Sequence, residues 1–453
     1  MSNRYQEALR RFYARSDYER GTITNPFGKA GAEGPRGLAR VRALLAELGN
    51  PHQRYPIVHV AGSKGKGSTC AFLSSILTAS GAKTGRYISP HLHSLRERIA
   101  IDDQPISKDD FAASLDRVLA ACATVESTQP ELGVVSAFEI STVMAFEHFA
   151  RRSCDLAVIE VGLGGTWDAT NVVDPAIAVI ALLDYEHTEI LGSTLAEIAE
   201  NKAGIIKPGR PVLTVRQPDD GMAVIHRVAN KQGAPLLVEG DDWQIAGGWN
   251  VARITTPLGQ FGPVQLGLAG DHQLHNAGLA VMAASLLTSQ GFASIDRATV
   301  EHGLRTTFWP ARFEVISNPG EATIIIDGAH TGASGAALAA AVADQFPNRP
   351  VELIFGMLGG KDAAAMLAHF RSLTDHVALV RPSNPRAMSF EQMEVAADQA
   401  GLTPERHPSL DDALNAARRR TTMESLIVVT GSLSFAGEAR ASLGLGVTEE
   451  PPS

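Results

Sequence analysis

A glycine-rich stretch in the first sixth of the chain constrains the fold more than any other feature. The sequence GSKGKGST (residues 62–69) lies between an apolar run, IVHVA, and a helix-like segment, CAFLSSILTAS. A strand that passes through such a loop into a helix directs backbone N–H groups at the helix N-terminus, where anions bind. The stretch therefore predicts a nucleotide phosphate site formed by Gly62, Ser63, Lys64, Gly65, Lys66, Gly67, Ser68 and Thr69.

The spacing of this loop departs from the common P-loop, G-x-x-x-x-G-K-[ST], in two ways. Two residues rather than four separate its first two glycines, and an extra glycine precedes the serine. We predict that Lys66 reaches the outer phosphates and that Ser68 lies near a bound Mg²⁺. A glycine-rich turn that binds no ligand remains the alternative interpretation at this point.

The rest of the chain alternates short apolar runs with longer helical patterns, which predicts an α/β fold. DLAVIEVG (155–162) and AIAVIALLD (176–184) have the continuous apolar character of strands buried on both faces. Later runs, ATIIID, VELIFG, HVALV and SLIVVTG, predict a second parallel sheet. We therefore predict an N-terminal domain over residues 1–307, with a small β-rich section at about 236–268, and a smaller C-terminal domain over 308–453.

Length and composition exclude several classes of protein. A chain of 453 residues is too long for one ordinary core. Its formal net charge of −9 disfavours a nucleic-acid binder, which needs a basic face. No apolar run has the length of a membrane span, and the N-terminus lacks the apolar core of a signal peptide. Three widely spaced cysteines fit neither a disulfide framework nor a zinc site, so we expect a cytoplasmic protein. We also expect a monomer that acts on small-molecule substrates.

Nine segments that occur in a fixed order sharpen this interpretation. They are VHVAGSKGKGST, SPHLHSLRERI, EVGLGGTWDATN, EHTEILG, NKAGIIK, HQLHNAGLA, WPARFE, DGAH and VVTGSL. Together they closely resemble the folylpolyglutamate synthase/dihydrofolate synthase family, a branch of the Mur ligase superfamily of ATP-dependent amide-bond-forming ligases. The resemblance runs from about Asn25 to Glu438. It implies a P-loop-containing N-terminal domain with a mostly parallel sheet and a Rossmann-like C-terminal domain, as in Mur ligases.

The resemblance also implies a reaction and its ligands. ATP phosphorylates a carboxylate of a pteroate or folate, and the amine of L-glutamate then attacks the acyl phosphate. The expected cofactors are ATP and two Mg²⁺ ions, and the expected substrates are L-glutamate with dihydropteroate or tetrahydrofolate. The motifs do not separate dihydrofolate synthase, folylpolyglutamate synthase and the bifunctional form. A cell-wall Mur ligase, a noncatalytic nucleotide-binding protein on this fold and a P-loop GTPase remain alternatives, each less favoured by the motif set.

Residues for the metal ions follow from the same resemblance. Ser89 and Glu139 are expected to hold one Mg²⁺, and His187 the second, with the help of Lys202 as a carbamylated lysine. Each has a structural alternative: a turn cap for Ser89, a solvated helix carboxylate for Glu139, and surface positions for His187 and Lys202. Glu160, which ends an apolar run, is left outside this set. The family usually has Glu before the lysine, where Asn stands here at position 201.

The nucleotide contacts from outside the loop are expected to be Asn276, Arg312 and Asp327. Arg suits phosphate because its planar fork donates two parallel hydrogen bonds. Asp327 follows an apolar run and alternatively acts as a turn residue. His330 is expected to contact substrate, which completes a catalytic set of Lys66, His187, Lys202 and His330.

Two further departures from the family pattern lie in the second half of the chain. WPAR stands where WPGR is commoner, and we expect Ala311 to need only an ordinary φ angle. Thr331 stands where the family usually has Asn, so the resemblance does not decide whether this position contacts the nucleotide.

Overall fold

The computed structural model describes residues 3–17, 21–28, 33–446 and 449. Its larger sheet has eight strands in the order β4-β3-β2-β5-β1-β6-β7-β8. The strands are β1 Ile57–Ala61, β2 Thr84–Tyr87, β3 Ile99–Ile101, β4 Gln104–Pro105, β5 Leu156–Glu160, β6 Ile177–Ile180, β7 Val212–Thr214 and β8 Leu236–Val238. Strands β2, β5, β1, β6, β7 and β8 pair in parallel, and β3 and β4 add an antiparallel edge.

The central strand β1 is buried on both faces, which explains its continuous apolar sequence. Val58 and Val60 face one core, and Ile57 faces another on the opposite side of the sheet. Strand β5 divides in the same way, with Val158 in the first core and Ile159 in the second. Because β1 lies between β5 and β6, the carboxyl ends of these three parallel strands meet at one edge of the sheet, where ligands bind in such folds.

Helices cover both faces of this sheet. They are α1 Asn3–Tyr13, α2 Glu33–Glu47, α3 Lys66–Ala79, α4 Lys108–Thr128, α5 Ala137–Arg151, α6 Thr188–Leu191, α7 Leu195–Ala203, α8 Asp219–Gln232, α9 His272–Ser289 and α10 Arg297–Thr306. Local capping explains where several begin: Ser107, Ser136 and Thr194 each accept a hydrogen bond from a backbone N–H of the first turn. Helices α3 and α9 share one core with β1, and α1, α4 and α5 share the other.

The predicted β-rich section contains a three-stranded antiparallel sheet, in the order β11-β10-β9. Its strands are β9 Gln244–Ala246, β10 Ala252–Thr256 and β11 Gly259–Val264. The first residues of the section do not belong to it, because β8 pairs in parallel with β7 as the last strand of the larger sheet. Ile254, on β10, joins the core of α9, so this small sheet packs against the N-terminal part of the molecule.

The second sheet has six strands in the order β12-β13-β17-β14-β15-β16, all parallel except the edge strand β12. They are β12 Glu314–Ile316, β13 Thr323–Ile326, β14 Val351–Phe355, β15 His376–Val380, β16 Thr403–His407 and β17 Leu426–Thr430. Its helices are α11 Gly332–Gln345, α12 Ala363–Leu367, α13 Phe390–Gln399, α14 Leu410–Arg420 and α15 Leu433–Ser442. The α/β class and the two mostly parallel sheets are confirmed, and the division after residue 307 stays a prediction.

The structure also bears on the cysteines and on the possibility of a membrane-spanning helix. The three cysteines, Cys70, Cys122 and Cys154, are free and buried. Within residues 3–17, 21–28 and 33–446, no helix is both long and apolar enough to cross a lipid bilayer.

Candidate active site

The glycine loop connects β1 to α3, as predicted. Gly65 is the N-cap of α3 with φ of 84°, a left-handed conformation that glycine adopts without strain. The backbone N–H groups of Ser63 and Lys64 both donate to the Leu182 carbonyl, at 2.9 and 3.0 Å. Lys66 folds back over the loop, and its Nζ donates to the Gly62 carbonyl at 2.8 Å. The segment after β6 therefore fixes the loop, and the α3 N-terminus opens beside it.

Asn276, on α9, lies directly against this loop. A Cβ atom at Gly65 would come within 2.1 Å of Asn276 Oδ1, so position 65 has no room for a side chain. The amide of Asn276 donates to Gln273 Oε1 at 2.8 Å, which orients its oxygen and nitrogen. The structure thus brings the predicted nucleotide contact on α9 to the loop from more than 200 residues along the chain.

A cavity of about 560 Å³ begins at the loop and is walled by both halves of the molecule. Most predicted site residues line it: Ser63, Lys64, Gly65, Lys66, Gly67, Ser68, Ser89, His187, Asn276, Arg312, Asp327 and His330. Thr69 does not, because its side chain is fully buried within α3. Gly62 and Lys202 lie behind the wall, where Lys202 Nζ donates to the Gly62 carbonyl at 2.9 Å.

Lys202 is an almost fully buried lysine at the end of α7. Its Nζ also donates to Glu186 Oε1 at 2.6 Å. Burial lowers the pKa of Lys202 to about 8, helped by the nearby ammonium group of Lys66. Burial alone would raise the pKa of Glu186, but the two ammonium groups of Lys66 and Lys202 outweigh it and hold that pKa below its ordinary value. Glu186 was not predicted, and it is the counter-ion that lets Lys202 be buried.

The turn that carries Arg312 enters the cavity from the second sheet. Ala311 has φ of 55°, so the expectation of an ordinary φ at this position is wrong. Phe313 is also left-handed, with φ of 48°, and the two bends turn Arg312 toward the cavity. Asp327 holds the turn: its Oδ2 accepts from the Phe313 N–H and its Oδ1 from the Ala329 N–H, both at 2.7 Å.

Each carboxylate oxygen of Asp327 accepts one backbone hydrogen bond, and these two bonds hold the turn that carries Arg312. Burial raises the pKa of the Asp327 carboxyl group, and the Arg312 guanidinium opposes that shift. The expected turn role of Asp327 and its place in the cavity wall are therefore both present in the structure.

His330 lies at the start of the segment that leads into α11. Its Nδ1 lies 2.9 Å from the Gly328 carbonyl, which can only accept, so Nδ1 carries the proton and Nε2 has the lone pair in the neutral ring. Burial lowers the pKa of His330, which favours that neutral form. Thr331 caps α11 through reciprocal bonds with Ser334, which accounts for a hydroxyl residue at this position.

A second and larger cavity, of about 1000 Å³, adjoins the first. Its walls include the aromatic side chains of Phe27, Phe138 and Trp167 on one side and Lys361 and Arg386 on the other. Both cavities are lined by Ser89, Pro90, Gly162, His187 and His330. A ligand on the glycine loop and a ligand in the larger cavity would therefore meet at these shared residues.

Comparison with known proteins agrees with this arrangement. Residues 115–284 match the Mur ligase middle domain, and residues 311–433 match the Mur ligase, glutamate ligase domain. The dihydrofolate synthase/folylpolyglutamate synthase of Bacillus subtilis is 31% identical over 90% of this chain and 95% of its own. The chain belongs to the folylpolyglutamate synthase/dihydrofolate synthase family. Membership makes it an ATP-dependent amide-bond-forming ligase with the Mur ligase fold.

Solved structures of folylpolyglutamate synthases share its fold over almost the whole chain. The Mycobacterium tuberculosis enzyme, complexed with ADP and AMPPCP, is 33% identical with a TM-score of 0.82, covering 92% of this chain and 96% of that one. A folylpolyglutamate synthase in complex with AMPPCP and folate is 30% identical with a TM-score of 0.80, covering 97% and 99%.

One predicted metal ligand of this family member is placed away from the loop. Glu139 receives three contacts of hydrogen-bond length from Arg40, the shortest 2.8 Å from Nη2 to Oε1. Its Oε2 also accepts from the N–H and hydroxyl of Ser136, at 2.7 and 2.8 Å, in the capping box of α5. Both carboxylate oxygens are thus engaged, and Glu139 lines only the larger cavity. The structure supports a structural role for Glu139 and does not bring it to the metal site that the sequence suggested.

Glu160, which is outside the predicted metal set, lies at the loop cavity, where Glu139 was expected. It ends β5, lines the loop cavity, and lies 3.8 Å from where a Cβ atom at Gly67 would be. Among the described residues, one donor bonds to it, the backbone N–H of Ser89 at 3.2 Å. Burial raises the pKa of Glu160 to about 7, although the Lys66 ammonium opposes the shift. Glu160 could have been found from the sequence, because a carboxylate that ends a buried parallel strand lies at the sheet edge where ligands bind.

The donor set here suits Mg²⁺ better than it suits a transition metal. The part of the chain that the structure describes has no group of three or more His, Cys, Asp or Glu side chains arranged to hold a metal ion. Mg²⁺ does not require one, because it keeps several waters and binds through one or two carboxylates and substrate phosphates. A buried carboxylate with one hydrogen bond, next to Ser89 and a phosphate loop, fits that pattern.

His187 lies where the two cavities meet. It is the N-cap of the short helix α6, with φ of 47°, and lines both cavities. Burial lowers its pKa, with the Glu186 carboxylate opposing the shift. The neutral ring suits a ligand or hydrogen-bonding role at the junction.

Proposed function

We propose that this chain joins L-glutamate to a carboxylate of a pteroate or folate, through an acyl-phosphate intermediate made from ATP. The observation that carries the proposal is the pair of adjoining cavities, which share Ser89, His187 and His330. A phosphoryl group bound at the loop and an acid bound in the larger cavity would be in reach of each other only at this junction. Holding the reacting groups together supplies much of the rate acceleration in such reactions.

The loop side of the junction is built to receive a triphosphate. The N-terminus of α3 attracts anions, and the side chains of Lys64, Lys66 and Arg312 add three cations to the cavity wall. These cations screen the triphosphate from the carboxylate that attacks it, which lowers the cost of bringing two anions together. Asn276 packs on the loop and contributes a polar edge for the nucleotide.

We propose that Glu160 and Ser89 hold a Mg²⁺ ion at the nucleotide phosphates, and that His187 contributes to a second. When bound, the metal ions neutralise charge on the phosphoryl oxygens. Lys202 carbamylation also remains a proposal, supported by the burial of its amine next to the loop. Carbon-13 NMR of protein kept in carbon-13-labelled bicarbonate tests it, since a labelled carbamate should give a resonance that is absent in the Lys202→Met variant.

The larger cavity suits an aromatic acid. Its aromatic side chains, with a cavity volume of about 1000 Å³, match a flat pteridine and benzoyl system better than a polar peptide. A folate whose carboxylate reaches Ser89 would place the rest of its length along this wall. The same feature gives no support to the cell-wall alternative, whose acceptor is a nucleotide-linked muramyl peptide.

The second half of the reaction needs a proton acceptor at the junction. When the glutamate amine attacks the acyl carbon, a C–N bond forms, the C–O bond to phosphate breaks, and inorganic phosphate leaves with the bonding electrons. The amine must lose a proton, and His330 Nε2 has the lone pair to take it. We therefore propose His330 as the group that receives this proton.

Phosphate release from MgATP, measured with glutamate and one acceptor at a time, tests the proposal. Release with dihydropteroate alone identifies a dihydrofolate synthase, with tetrahydrofolate alone a polyglutamylating enzyme, and with both a bifunctional one. Product mass must increase by one glutamyl residue. No release with either acceptor, from folded protein that binds ATP, would overturn the proposal, and release with a muramyl peptide would favour the cell-wall ligase.

Two loss-of-function variants locate the activity. Lys66→Ala and His187→Ala should abolish turnover and leave the circular dichroism spectrum unchanged, since both side chains face the cavity. Full turnover in either variant would remove that residue from the site. A monomeric state and a cytoplasmic location also remain proposals, which light scattering and cell fractionation test.

A further inference from the structure

His91 lies next to the junction of the two cavities, and the mechanism proposed above gives it no role. His91 follows Ser89 and Pro90 after strand β2, and it lines the larger cavity but not the smaller one. It therefore faces the acceptor side of the junction, one residue beyond the pair that borders both cavities. Its side chain is half-buried, so a ligand in that cavity can touch it.

Arg98 determines which ring nitrogen of His91 carries the proton. Arg98 Nε donates to His91 Nδ1 at 3.0 Å, and Arg98 is itself buried. A guanidinium group has donors and no acceptor, so Nδ1 must provide the lone pair. The proton of the neutral ring is then on Nε2, which is the nitrogen left for a ligand in the larger cavity.

His91 and His330 therefore have opposite hydrogen-bonding character. His330 Nδ1 donates to a carbonyl oxygen, which leaves Nε2 as an acceptor. His91 Nδ1 accepts from Arg98, which leaves Nε2–H as a donor. A reaction between a carboxylate and an amine needs both kinds of group: an acceptor for the amine proton and a donor for the carboxylate oxygen.

We propose that His91 Nε2–H donates a hydrogen bond to the reacting carboxylate of the acceptor substrate, and that Arg98 is the positioning residue that fixes this tautomer. The proposal rests on the function proposed above and adds a specific contact to it. The same N–H then faces the acyl oxygen that gains negative charge when the amine attacks. His91 orients and stabilises that oxygen and transfers no proton.

A matched pair of variants separates this role from a structural one. In His91→Gln, the side-chain oxygen can accept from Arg98 while the amide N–H donates into the cavity. In His91→Glu, the carboxylate can accept from Arg98 but donates nothing. Both keep the contact to Arg98, so they differ in the donor that the acceptor substrate would use.

We expect kcat/KM for the acceptor to fall less than about tenfold in His91→Gln and about 10²-fold or more in His91→Glu, with KM for ATP unchanged in both. Equal values in the two variants, or a loss confined to KM for ATP, would overturn the proposal. ADP binding and thermal unfolding show that each variant is folded. His91→Phe, which has no donor and no charge, should behave like His91→Glu and controls for the added carboxylate.

Nitrogen-15 NMR of the histidine rings tests the structural half of the argument without turnover. We expect the His91 ring to be neutral with its proton on Nε2, and the His330 ring to have its proton on Nδ1. A proton on His91 Nδ1 would overturn the proposal even in an active enzyme. If the unmodified protein turns over neither acceptor, the proposed function fails. If it is active and the Gln and Glu variants are equal, only the role of His91 fails.

Discussion

Glu139 and Glu160 are two buried glutamates, each 5% exposed, that lie only 21 residues apart in the chain. Glu139 accepts hydrogen bonds from Arg40 and Ser136 through both oxygens. From the residues that the structure describes, Glu160 receives one hydrogen bond, from the Ser89 N–H, although it is equally buried. A buried carboxylate without enough partners is costly, so its retention indicates a ligand that the protein alone does not supply.

The difference shows that burial alone does not identify a functional carboxylate; the number and kind of its partners do. Glu139 belongs to an ion pair that is complete within the protein. Glu160 lies among Lys66, Arg312 and the glycine loop, in a cavity that would also receive a triphosphate. The comparison supports the proposal that Glu160 binds the metal ion and that Glu139 has a structural role.

Glu160→Gln has the largest effect that the comparison predicts. The amide keeps the shape of the side chain and can still accept from Ser89, but it removes the negative charge that would hold Mg²⁺. We expect kcat to fall by about 10²–10³-fold, while the free energy of unfolding stays the same or rises because a buried charge is gone. Steady-state kinetics at saturating ATP and urea unfolding give the two values. Unchanged kcat would contradict the assignment.

Glu139→Gln should give the opposite result. The substitution leaves the Arg40 guanidinium buried without its counter-charge, so the free energy of unfolding should fall by about 3–5 kcal/mol. The folded fraction should keep a kcat within a few-fold of the unmodified enzyme. The Arg40→Met/Glu139→Leu double variant is the control, because removing both charges should recover much of the stability. A large loss of kcat in stable Glu139→Gln protein would reverse the comparison.

The roles of these two glutamates could not be distinguished from the sequence, because the ion-pair partner of Glu139 is distant along the chain. Arg40 is 99 residues from Glu139, and no local pattern joins them. The glycine loop, in contrast, was predicted correctly in position because a strand, a tight turn and a helix are all encoded locally. The turn at Ala311 was predicted wrongly, since its left-handed residue is held partly from outside the segment: the Ala311 carbonyl accepts from the Gly328 N–H, which follows β13.

The fold shows the same division between local and distant causes. Strands β5, β6, β13, β14, β15 and β17 were predicted because burial on both faces makes each a continuous apolar run. The edge strand β16, with the sequence TPERH, is half exposed and gave no such signal. Strand β8 was grouped with the β-rich section because pairing with β7 cannot be read from three residues.

The next largest predicted effect is a pH dependence of stability that comes from His148 and from neither glutamate. Burial lowers the pKa of His148 to about 4, whereas an unfolded histidine titrates near 6.5. Between these values the unfolded chain binds a proton that the folded chain does not, so stability falls as the pH falls through this window. The slope from this residue is at most about 1.4 kcal/mol per pH unit.

In His148→Gln, the slope of the unfolding free energy against pH should fall by up to the contribution of one bound proton. With that contribution removed, the two glutamate variants can be compared more directly in acid. Urea unfolding at several pH values between 4 and 7 measures the slope, with the unmodified chain alongside. An identical slope in the variant would mean that His148 is not held neutral by burial.

The smallest predicted effect is that of Ala311→Gly, a substitution at the site that changes no charge. It shows how much stability changes there when charge is not involved. Ala311→Gly relieves a left-handed φ that costs about 1–2 kcal/mol for a residue with a Cβ atom. It also removes one buried methyl group, worth about 0.8 kcal/mol. The free energy of unfolding should therefore rise by roughly 0–1 kcal/mol, with kcat unchanged. A loss of stability would show that packing outweighs backbone strain in this turn.

The most direct test of the central claim is metal binding itself. Mn²⁺ can replace Mg²⁺ as a spectroscopic probe, and its binding in the presence of ADP is measured by electron paramagnetic resonance. We predict that the unmodified protein and Glu139→Gln bind Mn²⁺ with the same affinity, and that Glu160→Gln binds it at least about tenfold more weakly. Weaker binding in Glu139→Gln, with Glu160→Gln unchanged, would contradict the account.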